Sequence, residues 1–204
     1  KIKVVCVIGK KIKTKIKNLL EKNSARVVKR DLTKEFFESG DLIKIAGKKE
    51  RELIWDVTNG YNSAYIPIVK EILGKVRPDY IVVPMGSGGI FIGLVRGLKK
   101  FNSRAKVIGI GPVNAVSSFA DKLATSWDPY CKLIGGYKNQ GHLIFRLQEK
   151  QIKKVYKKYK NLIDCEPSSA IVFVAPEIFK FKHADTVVFI NSGYSRNQKS
   201  ENII

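Results

Sequence analysis

The sequence predicts an α/β protein with a doubly wound parallel sheet, and two observations support this fold class. Apolar runs of strand length alternate along the chain with stretches whose apolar residues recur at helical spacing. A glycine-rich turn, Met85–Gly89, joins the predicted strand Tyr80–Pro84 to a predicted helix. Strands joined through such a helix lie parallel with a right-handed crossover, so ligands are expected beyond the carboxyl ends of the strands.

The first 60 residues form the first predicted domain, a partial small α/β domain. Ile12, Ile16, Leu19 and Leu20 recur at helical spacing between two short apolar runs, which predicts a βαβ unit. A turn cluster at Asn59–Asn62 marks the boundary with the second domain, 61–204. The predicted elements of the first domain are strand Val4–Ile8, helix Ile12–Leu20, strand Ala25–Val28, helical turns Thr33–Phe37 and strands Leu42–Ile45 and Leu53–Val57.

The second domain continues the alternation of strands and helices. After Gly111-Pro112 the spacing of apolar residues indicates helices and strands less clearly. Ser126–Gly141 is predicted as a long loop. The other predicted elements are helix Tyr65–Leu73, strand Tyr80–Pro84, helix Gly89–Lys100, strand Lys106–Ile110, helix Ser117–Ala124, strand Leu143–Leu147, an amphipathic helix marked by Ile152 through Leu162, a buried helix Ser168–Ile178, a central strand Thr186–Ile190 and a polar tail Ser195–Ile204.

The composition favours a globular protein without a metal site or a membrane span. Of the 204 residues, 44% are apolar, which is enough to bury a core. Cys6, Cys131 and Cys165 form no CxxC pair, and the chain has only two histidines, so free thiols in a reducing compartment are expected rather than a metal site. The longest apolar runs have strand length. The sequence therefore predicts a cytoplasmic protein that spans no membrane.

The formal net charge of +20 is the unusual feature of the composition. Such a surface attracts nucleic acid through counterion release. The lysines are dispersed along the chain, however, and many Lys with many Ile also fit the composition of a thermophilic source. A solvated basic face and a nucleic-acid partner are both compatible with this charge.

The glycine-rich turn is the main candidate site. Gly86, Ser87, Gly88 and Gly89 lie between a strand end and a helix start, where backbone N–H groups and the helix dipole favour a phosphate. A tight turn without a ligand is one alternative. A dinucleotide site is another, but it needs an acidic residue near the end of the next strand, where this chain has Gly109–Pro112.

Two serine-containing segments are weaker candidates. Ser192 follows the last predicted strand in Asn191-Ser192-Gly193, where its hydroxyl can meet a heteroaromatic nitrogen, although Ser-Gly is also a common turn. Ser168 stands at the start of the predicted buried helix, where it caps the helix or faces a ligand.

Three segments resemble, in order, the large domain of the fold-type II pyridoxal-phosphate enzymes. This group contains the tryptophan synthase β-subunit, cysteine synthase, threonine synthase and threonine dehydratase. The βαβ unit at Val4–Val28 is similar to part of the small domain of that family. The three matching segments are Arg77–Gly89 with Lys106–Ile110, Cys165–Ala170 and Asp185–Gly193.

The resemblance implies a cofactor and a role for each candidate residue. Gly86, Ser87, Gly88 and Gly89 would hold the phosphate of pyridoxal 5′-phosphate, and Ser192 would meet the pyridine nitrogen. A neutral hydroxyl keeps that nitrogen unprotonated, which suits β-elimination and β-replacement in amino-acid metabolism. A homodimer or a complementary N-terminal half is the expected partner.

The chain also departs from the family pattern. The family's Schiff-base lysine and substrate-carboxylate loop precede the strand that matches Val4–Ile8, so a chain truncated at the N-terminus is expected, with no catalytic residue assigned. Ile90, Gly111 and Ser169 stand where the family commonly has a hydroxyl residue, Glu and Gly.

Three functional interpretations remain open at this level. The first is an incomplete or degenerate pyridoxal-phosphate enzyme, which a complementary N-terminal half would complete. The second is a non-catalytic basic protein that docks on nucleic acid or a large assembly. The third is a scaffold whose loop holds only an anion.

Overall fold

The computed structural model describes residues 4–10, 12–23, 25–31, 41, 44–45, 47, 62–114, 118–123 and 131–193. The chain divides into two compact units, one of residues 1–56 with 125–127 and the other of residues 57–124 with 128–204. Each unit has a parallel sheet of its own.

The first unit contains the predicted βαβ arrangement. Strands β1 (Val4–Gly9) and β2 (Ala25–Arg30) pair in parallel, and helix α1 (Thr14–Lys22) connects them. The strand predicted at Leu42–Ile45 is wrong where it can be checked, because Lys44 and Ile45 are helical. The elements predicted at Thr33–Phe37 and Leu53–Val57 lie outside the described residues.

The second unit contains a four-stranded sheet in the order β5-β4-β3-β6, and all three pairings are parallel. Its strands are β3 (Tyr80–Pro84), β4 (Lys106–Pro112), β5 (Leu143–Leu147) and β6 (Val187–Phe189). Its helices are α2 (Ile66–Lys75), α3 (Gly89–Lys100), α4 (Cys131–Lys138), α5 (Glu149–Tyr159), α6 (Pro167–Ala170) and α7 (Ala175–Ile178), with 3-10 turns at Asn62–Tyr65, Asp121–Leu123 and Ile171–Val174.

The sheet of the second unit is covered by helices on both faces. Alternate residues of a strand point to opposite faces, so Ile81 and Val83 join one hydrophobic cluster while Val82 joins another. The first cluster includes Phe91 and Leu94 of α3, and the second includes residues of α5 and α7. The prediction of a doubly wound parallel sheet is therefore confirmed.

Three predicted elements of the second unit are corrected. The loop predicted over Ser126–Gly141 contains helix α4, whose Leu133, Ile134 and Tyr137 pack on the core. Leu162 does not face the core but is 74% exposed, because α5 ends at Tyr159. The predicted strand Thr186–Ile190 is shorter and, among the described strands, pairs only with β3 at one end of the sheet.

The buried helix predicted over Ser168–Ile178 is interrupted. It consists of α6, a 3-10 turn and α7, with Pro176 near the start of the last piece. Proline has no N–H to donate to the preceding turn and its ring crowds that turn, which disfavours a continuous α-helix through this position. None of the helices in the described ranges has the length and apolar character needed to cross a bilayer.

His142 lies in the core of the second unit. Its side chain is buried, its Nδ1 accepts a hydrogen bond of 3.0 Å from the Val107 N–H, and the rings of Phe91 and Tyr137 contact its edge. Desolvation by burial, followed by the charge of Lys106, lowers the pKa of His142 from 6.5 to about 4. The folded protein therefore holds this imidazole in its neutral form at pH 7.

The lowered pKa predicts an acid-sensitive contribution to stability. The unfolded chain binds the His142 proton more readily than the folded chain, so the stabilisation present above pH 6.5 is lost as the pH falls toward 4. Between pH 7 and about pH 4.5, the wild type should lose roughly 2 to 3 kcal/mol more unfolding free energy than His142→Asn.

Urea unfolding at several pH values measures this difference. The matched control is His183→Asn, because His183 is the other histidine of the chain and is exposed. This variant should keep the wild-type pH dependence. If the unfolding free energies of the wild type and His142→Asn depend equally on pH, the lowered pKa of His142 is contradicted.

Candidate functional site

The glycine-rich turn lies at the carboxyl end of β3, which runs between β4 and β6 in the sheet. The Met85 N–H donates a hydrogen bond of 2.7 Å to the Ile110 carbonyl, which holds the start of the turn against β4. Helix α3 begins at Gly89, and its N-cap residue Gly88 has φ 96°. This left-handed conformation is one that glycine adopts without strain.

Three glycines of the turn have backbone donors without an acceptor among the described residues. Within the ranges that the structure describes, the N–H groups of Gly86, Gly88 and Gly89 donate no hydrogen bond. The first N–H groups of any α-helix lack intrahelical partners, and the helix dipole adds positive potential at the same end. The turn therefore presents donors suited to an anion.

Gly86 and Gly88 are also closely packed by neighbouring residues. A Cβ on Gly86 would lie 3.0 Å from the Leu123 carbonyl oxygen, so the backbone of Leu123 packs closely on this part of the turn. A Cβ on Gly88 would lie 2.6 Å from Cδ1 of Ile134. Ile90, which replaces the family's hydroxyl residue, packs against the core around α3.

Ser192 lies near the same edge of the sheet. It follows β6, which pairs with β3, and the Ile190 N–H still donates to the Val82 carbonyl at 2.9 Å. The Ser192 Oγ lies 3.2 Å from the Oγ of Ser169, a fully buried residue of α6. Ser169, which stands where the resembled family commonly has Gly, therefore gives Ser192 a hydroxyl partner.

Glu166 and Lys122 are two site residues that the sequence did not single out. The side chain of Glu166 is only 13% exposed and forms an ion pair with the Lys122 ammonium. It also packs on Gly193, where a Cβ would lie 2.5 Å from Oε1 of Glu166. Only the position of Glu166 in the Cys165–Ala170 segment pointed to it, and no sequence pattern pointed to Lys122.

Ser168 does not cap the helix at whose start it lies. Its Oγ accepts a hydrogen bond of 3.2 Å from the Lys122 N–H, and the N-cap of α6 is Glu166, which makes no side-chain cap. Ser168 thus anchors the backbone of the 3-10 turn at Asp121–Leu123 beside the start of α6.

The candidate site residues thus form one cluster near the carboxyl edge of the sheet. The loop meets Leu123, the neighbouring Lys122 meets Glu166 and Ser168, and Glu166 meets Gly193 beside the Ser192–Ser169 pair. Among the residues that the structure describes, no group of three or more His, Cys, Asp or Glu could hold a metal ion, and Cys6 and Cys165 are free thiols.

Several solved structures with similar folds are named for reactions of amino acids. An L-serine ammonia-lyase from Rhizomucor miehei shares 13% identity over 95% of this chain and 70% of its own, with a TM-score of 0.68. Serine racemase from Dictyostelium discoideum shares 24% identity over 96% of this chain and 70% of its own, with a TM-score of 0.64. Threonine deaminase isoform 2 from Solanum lycopersicum shares 18% identity over 96% and 64%, with a TM-score of 0.61.

At these identities the structural likeness establishes the fold, and the chain spans about two thirds of each of these three proteins. A search of curated protein sequences found no match. The profile of the family described as "Pyridoxal-phosphate dependent enzyme" matches residues 1–193. Because this match covers nearly the whole chain, the protein belongs to the pyridoxal-phosphate dependent enzyme family.

Proposed function

We propose that this chain binds pyridoxal 5′-phosphate, with the phosphate on Gly86–Gly89 and the pyridine nitrogen at Ser192, and serves β-elimination or β-replacement in amino-acid metabolism. One observation carries the proposal. N–H donors without an acceptor among the described residues lie in the turn after β3. The Ser192 hydroxyl, which is paired with Ser169, follows the adjacent strand β6 near the same edge of the sheet.

The phosphate end of the proposal rests on charge and on donor geometry. The N–H groups of Gly86, Gly88 and Gly89 have no acceptor among the described residues. They lie at the start of a helix of 12 residues whose dipole points its positive end at the turn. Ser87 adds a hydroxyl between the glycines. Hydrogen bonds to a charged acceptor are about twice as strong as neutral ones, so this end supplies most of the affinity.

The ring end of the proposal rests on the paired hydroxyls. A serine hydroxyl can donate to an unprotonated ring nitrogen, and the Ser169 Oγ at 3.2 Å can hold that hydroxyl in position. When bound, pyridoxal phosphate supplies an electron sink for carbanion chemistry at an amino acid. A neutral donor leaves the ring nitrogen uncharged, which fits elimination and replacement at the β-carbon.

The substrate class of the proposal is a hydroxy- or thio-amino acid. Three similar solved structures are named for reactions of serine or threonine. The family resemblance puts the imine-forming lysine before the strand that matches Val4–Ile8. A homodimer or a complementary N-terminal half remains a prediction, which analytical ultracentrifugation measures.

Equilibrium titration tests the cofactor proposal. We expect pyridoxal phosphate to bind at one site, pyridoxal without the phosphate to bind at least about 100-fold more weakly, and inorganic phosphate to compete. Equal affinity for pyridoxal and pyridoxal phosphate, or no saturable binding of either, would contradict the proposal.

Substitution of Ser192 by alanine tests the ring end separately. We expect the variant to bind pyridoxal phosphate about 3- to 10-fold more weakly, the effect of one neutral hydrogen bond. The matched control is Ser103→Ala, because Ser103 precedes β4 at the opposite edge of the sheet. Binding by fluorescence quenching measures both variants, and equal loss in the two would refute the role of Ser192.

A further inference from the structure

We propose that one side of helix α5, together with the neighbouring Phe119, is a docking surface for single-stranded nucleic acid. The surface belongs to the second unit and shares no residue with the candidate cofactor site, so the inference does not rest on the proposed function. We call it the α5 basic face, and it consists of Phe119, Lys150, Lys153, Tyr156 and Lys157.

Helix α5 concentrates positive charge on its solvent side. Five of its 11 residues are lysines, and all five are exposed, while Ile152 and Val155 are buried against the sheet. Like charges three or four residues apart on a helix repel each other. The solvent side of α5 therefore attracts a partner of opposite charge.

The lysines of α5 form two rows that differ in their partners. Lys154 and Lys158 both form ion pairs with Glu177 of α7, at 3.7 and 3.1 Å. The other row recurs at i, i+3 and i+7, makes no ion pair with any residue that the structure describes, and consists of Lys150, Lys153 and Lys157. The charge of this second row is available to an external anion.

An exposed aromatic side chain adjoins the second row. Phe119 is 39% exposed, its ring meets that of Tyr156 edge-on with centroids 5.6 Å apart, and the Lys153 ammonium lies 5.9 Å from its centroid. Glu149 at the start of α5 fixes the position of Phe119, because its carboxylate accepts the Phe119 N–H at 2.9 Å and also the Ser118 hydroxyl. An aromatic ring is therefore held among lysines at the surface.

This combination favours a single strand over other polyanions. The phosphates of a single strand pair with ammonium groups, and its unpaired bases stack on aromatic rings. A duplex, an anionic membrane and an acidic protein offer negative charge without free bases for Phe119. From Lys150 to Lys157 the row spans about 10 Å, which suits about two to three phosphates of one strand.

Salt-dependent binding of an oligonucleotide tests the charge of the face. We expect the full chain to bind a labelled oligodeoxythymidine of about 20 nucleotides saturably, as measured by fluorescence anisotropy between about 50 and 200 mM salt. The variant Lys150→Gln/Lys153→Gln/Lys157→Gln should bind at least about tenfold more weakly at low salt. Its slope of log affinity against log salt should be smaller by about 2, because each lost phosphate contact on a single strand removes about 0.7.

The matched control removes the same charge elsewhere in the second unit. Lys70→Gln/Lys99→Gln/Lys100→Gln replaces three exposed lysines of α2 and α3. This variant should bind the oligonucleotide within about threefold of the wild type, since only long-range attraction is reduced. Equal weakening in the two triple variants would overturn the proposal, because binding would then follow net charge and not this face.

Replacing Phe119 by leucine tests the aromatic part of the face. The leucine retains an apolar side chain but offers no ring for a base, so affinity should fall at least about fivefold with an unchanged salt slope. Affinity for inorganic polyphosphate, which has no bases, should equal that of the wild type. Unchanged affinity for the oligonucleotide in a folded Phe119→Leu protein, as judged by its thermal unfolding, would overturn the proposal.

Competition and alternative ligands complete the test. Saturating pyridoxal phosphate should leave oligonucleotide binding unchanged, and displacement of the strand would place it on the glycine-rich turn and overturn this inference. Polyphosphate or phosphatidylserine vesicles that bind the wild type as tightly as the oligonucleotide would also overturn it. Failure of pyridoxal phosphate to bind would contradict only the proposed function, because the α5 basic face is a separate surface.

Discussion

Replacing Gly88 by alanine is expected to weaken binding of pyridoxal phosphate by about 100-fold, because two hydrogen bonds to a charged phosphate are lost together. Gly88 is the N-cap of α3 and has φ 96°, a conformation that strains any residue with a Cβ. The added Cβ would also lie 2.6 Å from Cδ1 of Ile134. Relief of that strain turns the peptide groups beside Gly88 away from their present directions.

Two further variants separate the effect of the backbone conformation at Gly88 from that of a glycine-to-alanine change in general. Gly88→Asn should retain more affinity than Gly88→Ala, because asparagine tolerates positive φ better than alanine does. Gly74→Ala is the matched control, since Gly74 lies in helix α2 with open space around its Cβ position. That control should bind normally and gain up to about 1 kcal/mol of stability. Wild-type affinity in a folded Gly88→Ala protein would contradict the role of the loop.

Replacing Gly111 by alanine is expected to reduce the free energy of unfolding by about 3 kcal/mol or more, the upper range for overpacking. A Cβ on Gly111 would lie 2.4 Å from the Met85 carbonyl oxygen and 2.5 Å from a guanidinium nitrogen of Arg146. The carbonyl cannot move without the turn, because the Met85 N–H is bonded to Ile110. Cofactor affinity should therefore fall together with stability.

Chemical denaturation with two comparison proteins measures the Gly111 effect. Gly135→Ala in α4 meets open space and should leave stability almost unchanged or slightly raised. Adding Arg146→Ala to Gly111→Ala should restore only part of the loss, since the clash with the Met85 backbone remains. Full recovery in the double variant would show that Arg146, and not the turn, excludes a side chain here.

Strong local signals made the central part of the fold predictable. Strand Tyr80–Pro84 and helix Gly89–Lys100 have the predicted bounds, because glycines separate a continuous apolar run from a stretch with clear helical spacing. Helix α4 was missed because Gly135 and Gly136 are typical of loops. Only packing of Leu133, Ile134 and Tyr137 on the core offsets their weak helix propensity.

The candidate site was predictable only in part, for a physical reason. The turn after β3 and Ser192 each follow a recognisable strand, so their position near one edge of a parallel sheet could be inferred. Lys122, Glu166 and Ser168 meet through tertiary contacts between segments more than 40 residues apart. Spacing along the chain contains no information about such contacts. Whether the turn and Ser192 hold a cofactor remains a prediction.

Glycine amide signals of the loop give the most direct test of the account. In the ¹⁵N–¹H spectrum of the labelled protein, pyridoxal phosphate should shift the signals of Gly86, Gly88 and Gly89, whose N–H groups have no acceptor among the described residues. Inorganic phosphate should shift the same signals, and pyridoxal should leave them nearly unchanged. Unchanged loop signals, with shifts confined to the lysine-rich helix α5, would contradict a phosphate site at this turn.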